Sequence, residues 1–388
     1  MGADEARVVL IVGPFGDAAT RRIAEAAGSA GFPVAIVGRC EEAAKALEVA
    51  RPFAMIVKMD APGAEQACAY FRSQAWLSRV PIFGVAPEST DVAFTELFTW
   101  GGDDLVSIAS PYPVLRRLRG LPAAPAAPPP AAHGAGAPSL RAVVAGPVAT
   151  WRSLIGRALH SGGFAVSFAA TPEALAEESL ADGVRVVVAA SDLPGGGAVA
   201  ALESARQRGS KAPWIVVTPP KGIADAIATI EALGPAATMD AFAPPENILF
   251  VVNELLAARG VDKRVSPRLL YGTAVAFRLA GRAEDEVGFT YNVSAGGAYV
   301  RTLDPPEPGQ EVWLELWPPR SERRVRLAGH VAWRRAFGPV GTSTVPAGFG
   351  VKLTEGLSGD LDRWRGGCGA FAESMLRLRV ATVAPPAG

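Results

Sequence analysis

Arg7-Val-Val-Leu-Ile-Val-Gly-Pro14 returns as Arg141-Ala-Val-Val-Ala-Gly-Pro147, and this return decides how the first two thirds of the chain fold. Two further landmarks repeat with it: Gly31-Phe-Pro-Val34 as Gly163-Phe-Ala-Val166, and Asp60-Ala-Pro-Gly63 as Asp192-Leu-Pro-Gly195. Taken at Gly13-Pro14, Gly31 and Asp60, the three matches keep an offset of 132 or 133 residues, so one domain is present twice. In the first copy, apolar runs at 7–12, 33–37, 53–58, 80–85 and 104–108 read as strands, and segments of helical period at 18–30, 41–50, 64–75 and 91–99 lie between them. The second copy follows with strands expected at 141–145, 165–169, 184–190, 213–218 and 238–242 and a closing helix from Glu246 to Ala258. Strand and helix in alternation mean βαβ units, hence two doubly wound α/β domains with parallel sheets.

Beyond Gly260 the period changes from 3.6 to 2. Thr273–Arg278, Val287–Asn292, Ala298–Arg301, Glu311–Trp317, Arg324–Trp333 and Phe349–Leu353 are short β-rich runs separated by turn residues, the pattern of a small antiparallel β-barrel. A C-terminal helix is expected from Gly359 to Leu378, packing on the barrel through Leu361, Trp364, Phe371, Met375 and Leu378. Trp313, Trp317, Trp333 and Trp364 fall in this third and read as core mass. The stretch from Leu121 to Leu140 carries six prolines and reads as an extended spacer. The expected domains are therefore 1–119, a Pro/Ala-rich linker at 120–139, 140–258, and a barrel domain at 259–388.

The 388 residues contain 38 Lys plus Arg and 38 Asp plus Glu, so the chain is not built globally to coat nucleic acid or an anionic membrane. That zero is uneven, because residues 262–388 hold 17 basic and 13 acidic side chains, net +4, which leaves net −4 for the rest. Cys40, Cys68 and Cys368 have neither disulfide nor zinc spacing, and the N-terminus lacks the pattern of a signal peptide, so a cytoplasmic protein without membrane insertion is expected. His133, His160 and His330 are isolated, and no nucleophile–histidine constellation or phosphate-binding glycine fingerprint is present. No catalytic residue, metal site or cofactor is assigned. Enzymatic activity is not expected.

With a proline-glycine turn after its third strand, each copy resembles the receiver domain of two-component response regulators. That resemblance implies a phosphoacceptor Asp at the end of strand three, an acidic pair after strand one that holds magnesium, and a Lys after strand five. Counting back from the Pro-Gly landmarks, the phosphoacceptor position is Lys58 in the first copy and Ala190 in the second. The acidic pair is replaced by Gly13-Pro14 and Gly146-Pro147. Thr218 remains after the second copy's fourth strand, where the first has Ala86, and neither fifth strand has its Lys. Asp60 and Asp192 stand two residues past the phosphoacceptor position and read as turn residues. Both copies are therefore pseudo-receivers, suited to docking or dimerisation. Lys58 either locks a conformation or faces solvent.

Two motifs follow the second copy. Arg264-Val-Ser-Pro-Arg268 gives R-x-x-x-R just before the first barrel strand, and Asn292-Val-Ser-Ala-Gly-Gly297 gives N-x-S-x-x-G after a second one. In this order, with a barrel pattern between and after them, they resemble the PilZ domain, a family that binds the bacterial second messenger cyclic di-GMP. The resemblance implies that Arg264 and Arg268 wrap the ligand from a flexible segment, that Asn292 and Ser294 approach a guanine from the barrel surface, and that Gly297 closes a tight turn. Arginine suits a dianion with two guanines because its planar fork can bind phosphate oxygens or guanine O6 and N7, and can stack on a purine.

The expected function is that of a non-enzymatic cyclic di-GMP receptor. Ligand capture near Arg264 would reorient the pseudo-receivers, the second copy above all, toward a protein partner. The alternatives are an interaction scaffold whose barrel binds no nucleotide, and a phosphorylated response regulator with a PilZ output.

Overall fold

The computed structural model describes residues 7–49, 51–74, 77, 80–122, 140–221, 227, 229–230, 232–257, 266–338 and 345–383. They divide into two compact units, one joining the first repeat copy to the barrel and one holding the second copy.

The first copy runs β1 (Val9–Val12), α1 (Ala18–Ser29), β2 (Val34–Val37), α2 (Cys40–Val49), β3 (Ala54–Lys58), α3 (Ala64–Ser73), β4 (Ile82–Ala86), α4 (Asp91–Thr99), β5 (Asp104–Ser107) and α5 (Tyr112–Gly120). Its strands pair in parallel in the order β2-β1-β3-β4-β5. The strands Val-Leu-Ile-Val, Ala-Met-Ile-Val-Lys and Ile-Phe-Gly-Val-Ala are buried almost throughout, as a sheet covered on both faces requires. Side-chain caps start the helices. The Asp17 carboxylate accepts the Thr20 N–H at 2.8 Å, and the Thr90 hydroxyl accepts that of Ala93 at 3.2 Å. Helix α5 is not among the helices expected from the sequence; it opens on Pro111 at its N-cap and has Pro113 in its first turn. Proline is harmless in a first turn, where its missing N–H has no intrahelical partner to lose, and Val114, Arg117 and Leu118 are then buried along one face.

The second copy repeats the plan with β6 (Arg141–Ala145), α6 (Ala149–Ser161), β7 (Ala165–Phe168), α7 (Pro172–Glu178), β8 (Val184–Ala190), α8 (Gly197–Gln207), β9 (Trp214–Thr218), β10 (Ala236–Asp240) and α9 (Asn247–Ala257). The sheet order β7-β6-β8-β9-β10 is that of the first copy. The spacer expected at 120–139 lies largely outside the described residues, apart from the end of α5 and the residues next to it.

The last third forms β11 (Leu269–Leu270), β12 (Ala274–Leu279), β13 (Glu286–Ser294), β14 (Gly297–Arg301), β15 (Glu311–Leu316), β16 (Val325–Arg335) and β17 (Gly348–Gly356), followed by α10 (Asp360–Val383). Antiparallel pairing runs β13-β12-β15-β16-β17-β14, and β14 returns to β13, which closes a six-stranded barrel. The short β11, which the sequence did not reveal, pairs farther along β13 through Leu269–Val293 and Leu270–Asn292. Phe277 and Phe349 meet edge to face at 5.2 Å inside, and Trp364 and Cys368 of α10 complete the core. Burial pushes the Cys368 thiol up to about 12, so it stays protonated.

The barrel is seated on the first copy by apolar and charged contacts. Phe289 of β13 packs against Phe94 and Phe98 of α4 at 5.0 and 5.6 Å, and the Arg301 guanidinium lies 3.4 Å from the centre of the Phe98 ring. Beneath them Asp104 and Arg117, each 1 % exposed, pair at 2.6 Å. The same Asp104 oxygen accepts the Thr302 hydroxyl at 3.1 Å and the Leu303 N–H at 2.8 Å, while Arg117 donates to the Val287 carbonyl at 3.0 Å. Burial works against the Arg117 charge, but Asp104, then Glu286 and Asp304, more than offset this and hold its pKa above the ordinary value.

Glu286 pairs with Arg116 at 2.7 Å, yet its Oε2 is buried without a hydrogen bond among the described residues. Burial pushes this carboxyl above the ordinary 4.5, against the pull of Arg116 and Arg117. A raised folded-state pKa stabilises the fold below 4.5, and that contribution is lost as pH rises through the folded value. Glu286→Gln is therefore expected to be more stable than the parent at pH 8, with the difference shrinking as pH falls toward 5. Urea unfolding of both proteins at the two pH values measures it, and a gap that widens in acid would contradict the reading.

Candidate ligand-binding site

The β13–β14 hairpin carries its turn, Ser294 to Gly297, to the end of the barrel away from the first copy, and a cavity of about 290 Å3 opens beside it. Arg268, Asn292, Ser294, Gly297, Tyr299, Trp333, Gly350 and Lys352 are among its lining residues. Four of the five expected site residues thus converge on one cleft. The fifth, Arg264, lies outside the described residues.

Each side chain is held for a local reason. Asn292 sits where β13 carries a register shift between Thr290 and Asn292, and it is 6 % exposed. Ser294 is fixed from both sides, since its hydroxyl donates to the Gly297 carbonyl at 3.4 Å and its own carbonyl accepts the Trp364 indole N–H at 3.0 Å. A Cβ on Gly297 would collide with the Val351 carbonyl oxygen, so glycine is required by the close approach of β14 to β17. The Tyr299 hydroxyl donates to the Pro346 carbonyl at 2.6 Å, and burial pushes its pKa up. Its ring stacks on Trp333 at 4.9 Å and 28°.

Trp333 does not belong to the core, contrary to the sequence-based expectation. Strict alternation from the buried Val331 would turn it inward, but a register shift between Val331 and Trp333 re-aims it outward, leaving it 38 % exposed. It lies against Gly350, where a Cβ would stand 2.5 Å from its indole nitrogen. Trp313 is also exposed, whereas Trp364 is fully buried.

The cleft is cationic. No Asp or Glu is among its lining residues, and neither Arg268 nor Lys352 has an ion-pair partner among the described residues. Most arginines along the neighbouring strands are neutralised instead, Arg278 by Asp285, Arg324 and Arg326 by Glu315, and Arg334 by Glu307.

Residues 262–364 match the family described as PilZ domain. Residues 262–364 are a PilZ domain. PilZ domains are a cyclic di-GMP-binding, non-catalytic family. Among solved structures, the Bacillus subtilis inhibitor of motility is similar at 19% identity over 29% of this chain and 53% of its own, with a TM-score of 0.25. The chain thus spans about half the length of that protein. A putative response regulator from Chloroflexus aurantiacus is similar at 22% identity over 29% of this chain and 94% of its own, TM-score 0.28. A putative two-component response regulator/GGDEF domain protein is similar at 18% identity over 65% and 98%, TM-score 0.30. No curated protein matches. The receiver-like character of the two α/β copies therefore rests on their shared strand order and helix alternation.

In the first copy the C-terminal end of β3 carries a salt bridge. Lys58, at the end of β3, pairs with Asp60 at 2.7 Å and Asp17 at 3.5 Å and is only 15 % exposed, so it does not simply face solvent. The hydrogen bond to Asp60 raises the Lys58 pKa, against the effect of burial. In the second copy Gly146 accepts a hydrogen bond from Arg152 through its carbonyl, and Ala190 is buried. No group of three His, Cys, Asp or Glu able to hold a metal occurs among the described residues, and no described helix is long and apolar enough to cross a membrane.

Proposed function

We propose that this protein is a non-enzymatic cytoplasmic receptor for cyclic di-GMP, in which ligand binding to the PilZ barrel alters the pseudo-receiver domains and so the protein partner they hold. The observation that carries this reading is the convergence of Arg268, Asn292, Ser294 and Gly297 on a cleft whose Arg268 and Lys352 have no ion-pair partner among the described residues and which has no carboxylate among its lining residues. Arg264 and Arg268 would fork onto the phosphates or the guanine O6/N7 edges, and Asn292 and Ser294 would meet a guanine. Trp333 offers an indole face beside them. Asn292 is neutral, so its contact to guanine N–H groups is weaker than a carboxylate would make.

Calorimetric titration of the full chain with cyclic di-GMP tests the proposal, with micromolar or tighter affinity expected, about 8 kcal/mol or more. Because Phe289 and Glu286 of the barrel are buried against the first copy, the full chain is the right material. No heat at tens of micromolar ligand would leave the scaffold reading. A phosphorylated regulator is a poor fit, since Lys58 and Ala190 stand at the phosphoacceptor positions. Incubation with acetyl phosphate and magnesium is expected to leave the intact mass unchanged, and a gain of one phosphoryl group would restore that reading.

A further inference from the structure

The barrel strands that form the ligand cleft also form the contact with the first copy. On β13, Asn292 and Ser294 line the cleft, while Phe289 packs on α4, and on β14 Gly297 and Tyr299 line the cleft while Arg301 lies over Phe98. Asn292 is three positions along the strand from Phe289, roughly 10 Å.

A second connection runs through the arginine motif itself. After Arg268, β11 pairs with β13 and the chain passes through Tyr271 to Thr273, which is 1 % exposed. The Thr273 hydroxyl donates to both Asp91 carboxylate oxygens, at 3.2 and 3.1 Å, and the Ala274 N–H donates to Asp91 at 2.5 Å. Asp91 is the first residue of α4, where a carboxylate is already favoured by the helix dipole. The Thr290 hydroxyl links the two routes, accepting the Thr273 N–H at 2.9 Å and donating to the Tyr271 carbonyl at 2.7 Å. A five-residue segment therefore joins an exposed cleft cation to the N-terminus of a receiver helix.

From this we infer that cyclic di-GMP occupancy is read first by α4 and β5 of the first pseudo-receiver, through the 268–274 segment and the β13–β14 hairpin. The inference rests on the ligand reading above. It differs from coupling through the connection between the second copy and the barrel, residues 259–263, which lies outside the described residues. The physical basis is entropic as well as steric. Arg268 is exposed and has no ion-pair partner among the described residues, and holding it on a dianion removes freedom from a segment anchored at Asp91. By linkage, loosening that anchor must weaken the ligand by the same factor that the ligand stiffens the anchor.

Hydrogen–deuterium exchange of the full chain with and without cyclic di-GMP, beside calorimetry on the same samples, tests this. Ligand should slow exchange not only at 268–274 and 290–299 but also, about threefold or more, across Asp91–Phe98 and Leu105–Ser107. Thr273→Val and Asp91→Asn, neither of which touches the cleft, should keep protection at 290–299, lose it at α4 and β5, and bind about threefold more weakly. Thr273→Val preserves shape, and the exposed Asp91→Asn provides the same test should the buried substitution disturb folding. Heat of binding with protection confined to the cleft overturns the coupling and leaves the receptor reading intact. Variants that keep the α4 protection overturn the route through Thr273. Absence of heat overturns both.

Discussion

Asp104→Ala is expected to cost about 3–5 kcal/mol of stability, because it takes from the buried Arg117 guanidinium its closest carboxylate and leaves only the more distant Glu286 and Asp304 to offset the charge. Asp104 serves four donors at the seam between the first copy and the barrel: Arg117, Thr302 and Leu303 on one oxygen and its own neighbour Leu105 on the other. Removing the carboxylate takes the acceptor from Thr302, Leu303 and Leu105 and leaves Arg117 only its carbonyl contacts to Val287 and Pro113. The loss should appear in one transition that reports both the first copy and the barrel, since the pair belongs to neither alone. Urea unfolding followed by hydrogen–deuterium exchange of peptides from the barrel and from the first copy reads the two halves separately. A midpoint that moves for only one of them, or for neither, would show that the seam is peripheral to the unit. Arg117→Leu should be milder than Arg117→Ala, because the isobutyl group fills part of the vacated volume. It still leaves Asp104 with an unbalanced charge.

Arg268→Ala is expected to weaken cyclic di-GMP binding by about 2–5 kcal/mol, at least roughly 30-fold, with little change in stability. The two effects separate because Arg268 is exposed and has no ion-pair partner among the described residues, so the fold does not depend on it. Arg268→Lys should recover only part of the loss, since an ammonium retains the charge and lacks the fork and the stacking face. Arg264→Ala is expected to fall in the same range. Full affinity in both alanine variants would remove the arginine motif from the site.

The architecture was legible in the sequence because its decisive features are local. Runs such as Val9–Val12 and Val184–Ala190, the Pro-Gly turns after β3 and β8, and the switch to period 2 beyond Gly260 announce α/β copies and a barrel without any knowledge of tertiary contacts. The arginine and N-x-S-x-x-G motifs pointed to the cleft for the same reason. Features that depend on an unseen partner were not legible. Trp333 faces the cleft through a bulge that alternation cannot foresee, and Lys352 and Gly350 join it from a strand 50 or more residues away from the second motif. Helix α5 was hidden by prolines that only a first turn tolerates. Asp104 and Arg117 look like surface residues until a barrel strand covers them. Lys58, left open between a lock and a solvent-facing residue, is held by two carboxylates.

The seam also sets an order of events during synthesis. Asp104 must wait for Thr302, 198 residues later, so at about 5–20 residues per second the ribosome takes on the order of 10–40 s to supply its partner. The whole second copy is made in that interval. Throughout it the nascent first copy carries Phe94, Phe98 and an unanswered Asp104–Arg117 pair at its surface, which is a surface for chaperones to cover. A chain broken off before residue 286 would keep that surface permanently, and its fate would be decided by proteolysis and aggregation rather than by any signal.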